Sequence, residues 1–367
     1  MAEKDLGYRR VQSTGRGSYI ISLPKEWVQT IGLKRGSEIA FNVQPDSSLV
    51  LIPRKLREMR GESEEDRLKE YFVNVDPKED SQATLRMMRA LYAIGADVIH
   101  IRFKSVEDAE KYKTETKNFV RNTFLGSEII DETQDEITLQ ILIRHSEFPI
   151  EKAVRRMAIV ALSADRDAIT ALKNRNATLF QSVINARNDV NRLGLYIVRQ
   201  LKYGIERNMF RELGFKTPKE FLLYRIAVKD IETIGENAMN TINHIGTFQK
   251  MIDDEMLFVK EPVDEEVYSQ LAHFNNIAHQ LFEESISAMF KREYKDAERM
   301  ISKREAFAAL ENELIMLMSS KKLDPNVASL LRLIFDSSRR IMDYGRNMAE
   351  LTLNRTVEEL CSTFAFK

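Results

Sequence analysis

One cysteine, Cys361, stands in 367 residues, which excludes an internal disulfide and a cysteine-rich zinc site and fits a reducing compartment. Histidine is scarce as well. His100, His145, His244, His273 and His279 form no metal-ligand spacing, and the six-residue step from His273 to His279 does not align on a helix face. No apolar run approaches the ~20 residues of a membrane helix, so membrane insertion is not expected. The opening Met1-Ala2-Glu3-Lys4-Asp5 lacks the basic start and apolar centre of a secretion signal, and a cytoplasmic setting is expected. A glycine-rich phosphate loop, a nucleophile motif and paired carboxylates with an identifiable cleft are all missing, so the chain is not expected to be an enzyme.

What is present is a soluble profile, with 43% hydrophobic and 30% charged residues. The length exceeds one ordinary core and predicts two or three domains. Net charge is −1, but it is unevenly spread. Residues 1–60 carry 11 Lys+Arg against 6 Asp+Glu, leaving 44 against 50 for the remainder. A basic head on a slightly acidic body predicts that the head meets a polyanion.

Residues 6–55 read as short strands around one short helix. Tyr8–Ser13 and Tyr19–Leu23 flank the basic turn Thr14-Gly15-Arg16-Gly17-Ser18. Pro24 suits a first helical position, Trp27, Val28 and Ile31 line the helix, and Gly32 stops it. Alternation at Ile39, Phe41 and Val43 predicts a strand, followed by a turn at 45–48 and a strand over Leu49–Ile52. So few apolar side chains make a marginal core, and a second copy is expected to complete it.

The charged stretch 54–70 reads as a linker or a solvated helix. Residues 71–145 form a predicted α/β module. Its strands are expected at Tyr71–Val75, Asp97–Phe103, Ser127–Asp131 and Ile137–Ile143, with helices at Ser81–Ile94 and Val106–Phe124. Beyond Pro149, three-and-four spacing such as Ile150, Val154, Met157, Ala161, Ala164 and Ala168 predicts amphipathic helices. Breaks at Asn174–Ala177, Gly214–Pro218, Lys260–Pro262, Arg292–Tyr294 and Leu323–Pro325 divide the region into six helices, or two bundles of three. An internal echo supports the division: Arg225–Ala238 recurs in outline 107 positions later at Arg332–Gly345. The expected segments are 1–55, 56–146, 147–255 and 256–367, a multidomain α+β chain.

The run Arg9-Arg10-Val-Gln-Ser-Thr-Gly-Arg16-Gly-Ser18-Tyr-Ile-Ile-Ser-Leu-Pro24-Lys25-Glu-Trp27, with Gly32-Leu33-Lys34-Arg35-Gly36, resembles the AbrB/SpoVT/MazE swapped-hairpin domain. Ile231-Glu232-Thr-Ile-Gly-Glu236-Asn-Ala238, its echo Ser338–Gly345, and Asp189-Val-Asn191-Arg192-Leu resemble PhoU, the phosphate-uptake regulator. The fusion resembles an archaeal type of PhoU-related transcription regulator. The resemblance implies a DNA-binding homodimer that exchanges strands, a link to phosphate uptake and signalling, and metal clusters held by acidic motifs on bundle helices.

Arg9, Arg10, Arg16 and Lys25 are the candidate DNA contacts, because guanidinium and ammonium groups donate to phosphates and guanine edges; Lys34 and Arg35 are secondary. A solvated basic face is the plainer alternative for each. Glu232 and Glu236 are i,i+4 on one helix face, and Asp343 holds the matching place in the second bundle, so a divalent or iron-type metal is a candidate ligand. The chain departs from the PhoU motif here. Arg339 replaces its first acid, Glu236 its Asp, and Asn191 another acid, and Arg339 is placed to neutralise Asp343 without metal. The leading expectation is a DNA-binding regulator of phosphate genes. The alternatives are a cytoplasmic adaptor on a phosphate transporter or signalling kinase, with the β domain used to dimerise, and a metal-sensing bundle.

Overall fold

The computed structural model describes residues 7–15, 17–43, 48–54, 68–75, 81–104, 106–143, 147–174, 176–207, 209–254 and 263–361. It divides into two compact units between Leu68 and Lys69.

The first unit holds two short hairpins around one helix. β1 (Gln12–Thr14) pairs antiparallel with β2 (Ser18–Ile20), and β3 (Ile39–Val43) pairs with β4 (Leu49–Pro53). Helix α1 (Lys25–Thr30) lies between them. The first hairpin is shorter than the expected Tyr8–Ser13 and Tyr19–Leu23 strands. Continuing it would pair Tyr8–Val11 with the run into Pro24, which has no N–H to give and turns the chain into α1. Pro24 itself is the residue before the helix rather than its first position, with φ −60 and ψ 128. Gly32 does end the helix, at φ +67: its N–H donates to Gln29 O, and Leu33 N donates to Val28 O.

The second unit opens with the α/β module: β5 (Glu70–Val75), α2 (Ser81–Ile94), β6 (Val98–Phe103), α3 (Val106–Thr123), β7 (Ser127–Glu132) and β8 (Glu136–Ile141). The sheet order is β5-β6-β8-β7. β5 runs parallel to β6, with α2 as the crossover, while β8 is antiparallel to both of its neighbours. Alternation along the strands sends Val73, Val75, Ile99, Ile101, Ile137 and Leu139 onto Met88, Tyr92, Val120 and Phe124 of the helical layer. The other face carries His100, Arg102 and Glu136 around the exposed ring of Phe72.

Seven helices follow among the described residues: α4 (Ile150–Asn174), α5 (Ala177–Glu206), α6 (Glu220–Asp253), α7 (Glu265–Lys291), α8 (Tyr294–Ser302), α9 (Arg304–Ser320) and α10 (Pro325–Leu360). Six were expected. The middle helix of the second bundle breaks at Lys303, where ψ is 1° instead of the helical value of about −42°, although no glycine or proline marks the place. The break lets two short pieces dock separately, one through Ala297 and Met300 and the other through Leu314. The expected break at Lys260–Pro262 lies outside the described residues. The fold is thus mixed α+β, with small β elements first and helical bundles after. One continuous apolar core runs through both bundles. α6 and α10 pack antiparallel at their junction: Lys219, just before α6, and Asp230 within it meet Glu358 and Asn347 of α10.

Candidate functional site

The basic candidates lie in the first unit. Arg9 and Arg10 precede β1, and both are exposed. Among the described residues the Arg9 guanidinium donates to the neighbouring Tyr8 O, at 2.9 Å. Lys25 is the first residue of α1 and is exposed. A cation there opposes the helix dipole, so helix stability does not explain its presence. No hydrogen bond or ion pair joins these three among the described residues. Arg16 lies outside the described residues. Lys34 and Arg35 are exposed in the turn after α1.

The same unit exposes its apolar side chains. Tyr19 is 76%, Phe41 62% and Val43 75% accessible, and among the described residues of this unit up to Arg54 only Pro53 is buried. Hairpins of this composition hold no core of their own. The basic and the apolar groups are both open to a partner.

The acidic candidates lie in the bundles. Glu232 and Glu236 sit on α6 and Asp343 on α10, and the structure does not gather them. Glu232 is packed against Gly194 of α5, where a methyl group would overlap its Oε1, and Lys229 Nζ stands 3.6 Å from its Oε2. Asp343 is bracketed by two cations: Arg339 Nη1 lies 3.4 Å from Oδ2, and Arg346 Nη2 donates to Oδ1. Phe307, Glu311 and Met342 complete a cavity of about 240 Å³ around this trio. Among the described residues no three His, Cys, Asp or Glu side chains converge. The donors present do not fit a metal centre, since the charge beside Asp343 is already balanced by guanidinium.

Three buried polar clusters carry no signature in the sequence reading. In the first, His279 Nε2 of α7 lies 2.8 Å from Asp165 Oδ2 of α4, with both side chains at most 2% exposed. Asn275 stands 3.4 Å from the same nitrogen and accepts from Ser338 Oγ of α10 at 2.8 Å. In the second, Glu220 at the start of α6 accepts from Arg292 Nη2 at 2.8 and 2.9 Å, from Arg355 Nε, and from Lys216 N. Burial pushes the Glu220 carboxyl up, but Arg292, the Lys216 N–H and Arg355 together hold it below the usual range. In the third, Arg199 of α5 reaches Asp97 of the α/β module. Neighbouring Tyr196 donates to Phe148 O at 2.6 Å, and burial raises its hydroxyl to about 12. The first two clusters bind bundle to bundle and the third binds bundle to module. Only their position within apolar stripes, as at Asp165 beside Ala164 and Ala168, hints at them in sequence.

No helix among the described residues is long and apolar enough to cross a membrane. The family model of the antidote-toxin recognition protein MazE, a bacterial antitoxin, matches residues 12–58, and that of the PhoU domain matches residues 154–245. The chain therefore carries a MazE/AbrB-like segment at the basic hairpins and a PhoU-like segment across α4–α6. The crystal structure of PhoU from Pseudomonas aeruginosa is similar at a TM-score of 0.45 and 17% identity, over 56% of this chain and 93% of that one. Curated proteins yield no match.

Proposed function

We propose that this chain, which joins a MazE-like segment to a PhoU-like bundle, is a dimeric DNA-binding regulator in phosphate homeostasis and not an enzyme. The observation that carries the reading is the first unit's combination of open apolar hairpins with unpaired basic side chains. A second copy covers Tyr19, Phe41 and Val43. It also doubles Arg9, Arg10, Arg16 and Lys25 into a two-fold basic surface. Each phosphate neutralised releases counterion, so affinity falls steeply with salt. Contacts to phosphate position such a surface, and contacts to base edges select the site. The helical unit is then the sensing or docking part, reading phosphate status through a small ligand or a protein contact.

The test is fluorescence anisotropy of labelled duplex from a phosphate-transport promoter against a scrambled duplex, over a salt series. The full-length protein is expected to prefer the promoter. Arg9→Ala with Arg16→Ala is expected to weaken binding and flatten the salt slope by about two per changed subunit. Unchanged affinity in the double variant removes these residues from the interface. The slight acidity of residues 61–367, with 44 basic against 50 acidic groups, favours a second reading for the helical unit alone. In that reading it docks a phosphate transporter or signalling kinase and the hairpins only dimerise. Weak binding that is alike for both duplexes selects this alternative.

A further inference from the structure

One buried charged side chain stands at the centre of the attachment of the α/β module to the first bundle. Arg199 lies on α5, 6% exposed. Its guanidinium forks into the end of α2, where Nη1 donates to Tyr92 O at 3.0 Å and to Ala96 O at 2.6 Å. Nη2 donates to Asp97 Oδ1 at 3.1 Å. Two of these three acceptors are carbonyls at a helix C-terminus, where a cation also meets the negative end of the dipole. The turn that presents them is set by Gly95 at φ +96, whose N–H returns to Tyr92 O while Ala96 N returns to Leu91 O.

Asp97 is bound on its other side as well. Its Oδ2 accepts from Lys69 N at 3.0 Å, and Asp97 N donates to Lys69 O at 2.9 Å. Lys69 is where the compact unit begins, one residue before β5. The Lys69 ammonium also pairs with Glu206, at the end of the same helix that carries Arg199. Helix α5 thus holds the start of β5 from two sides: through Arg199 and Asp97 in the interior, and through Glu206 at the surface. Leu195 and Val198 of α5, just before Arg199, pack into the module's apolar core.

We propose that Arg199 is a positioning residue that makes α5 and the first strand of the α/β module one mechanical unit, so that a displacement of the first bundle is delivered to the residue where the chain enters that unit. The module is then a stiff relay rather than a hinged insert. The guanidinium suits the task because its planar fork serves three acceptors at once without rearranging. An ammonium at the same place cannot span them. The regulatory meaning of this coupling rests on the reading proposed above; its mechanical content does not.

Hydrogen exchange with mass spectrometry on the full-length protein tests it. In the unaltered protein, the β5 amides bonded to β6 are expected to share the protection of α5 around Arg199, as members of one cooperative unit. Arg199→Lys is expected to speed β5 exchange roughly tenfold or more while α10 keeps its protection. A general loss of stability would move α10 too, so the regional pattern separates positioning from simple destabilisation. Asp97→Asn is expected to act in the same sense on β5. The proposal is overturned if β5 exchanges in Arg199→Lys as it does in the unaltered protein. It is also overturned if β5 and α5 of the unaltered protein open independently, a comparison that stands even where the variant fails to fold. Coupled exchange without promoter preference leaves the relay standing and removes the regulator reading. Promoter preference with uncoupled exchange does the reverse.

Discussion

Residues 7–54 and residues 69–361 solve the problem of apolar surface in opposite ways. The later unit buries Ile99, Ile101, Met157, Ile231, Phe282 and Phe335 almost completely and ties its layers with internal ion pairs. The earlier unit leaves Ile20 half exposed and Phe41 more so, though its strands are no less apolar. The difference is one of chain length per core. Some 290 residues enclose their own interior, whereas about fifty leave theirs open. Association in this protein is therefore expected to belong to the hairpins, and single-chain stability to the bundles.

The strongest way to break that comparison is to open the self-sufficient unit from within. Glu220→Ala leaves the buried Arg355 without its carboxylate and Arg292 with only Glu359, 3.5 Å away, and a loss of about 3–5 kcal/mol is expected in denaturant melts. The same group gives the unit a pH dependence. The Glu220 carboxyl titrates lower in the folded chain than the ordinary ~4.3 of an unfolded glutamate, so its contribution is complete above that value. It is lost as pH falls through the folded value, and Glu220→Gln should flatten the acid limb of a stability–pH curve. Next in size, Ile99→Ala in the module core should cost about 2–5 kcal/mol at any protein concentration. The counterpart in the hairpins behaves differently. Phe41→Asp should barely change the melting of the helical unit, but should weaken self-association roughly thirtyfold or more in sedimentation experiments. Concentration-independent sedimentation of the unaltered protein would contradict this. The smallest effect is expected at Glu232→Gln, less than about 1 kcal/mol by the same melts, because its recorded partner is one long contact to a surface lysine.

Local chemistry made most elements legible in the sequence. The α2 bounds at Ser81 and Ile94 follow directly from apolar spacing and the glycine after it, and the strands of the module fall within a residue or two of their alternation pattern. The break at Lys303 was not legible, since neither proline nor glycine marks it and the cause is how α8 and α9 dock. The candidate residues were legible only as types. Arginines at 9 and 10 read as basic in any context, and nothing local says whether a partner meets them. Arg199 and Glu220 do not stand out in the sequence, and His279 reads there only as a histidine without ligand spacing. Their partners lie 102, 135 and 114 residues away, and burial of a charged group is a property of the assembled core alone.

The ion cluster at Glu220 has one further consequence, for the order in which the chain is made. A ribosome releases Glu220 long before Arg355, which is 135 residues later, or roughly 7 to 27 s at 5–20 residues per second. Once α6 is complete at Asp253 the first bundle holds every helix it needs, yet the Glu220 carboxylate waits for Arg292, 72 residues after it, and longer still for Arg355. Its own apolar packing can form, but the start of α6 remains open until the last turns of α10 arrive. A nascent chain stalled short of Arg355 should therefore be sensitive to proteolysis around residues 214–220 while its α4–α5 contact already resists.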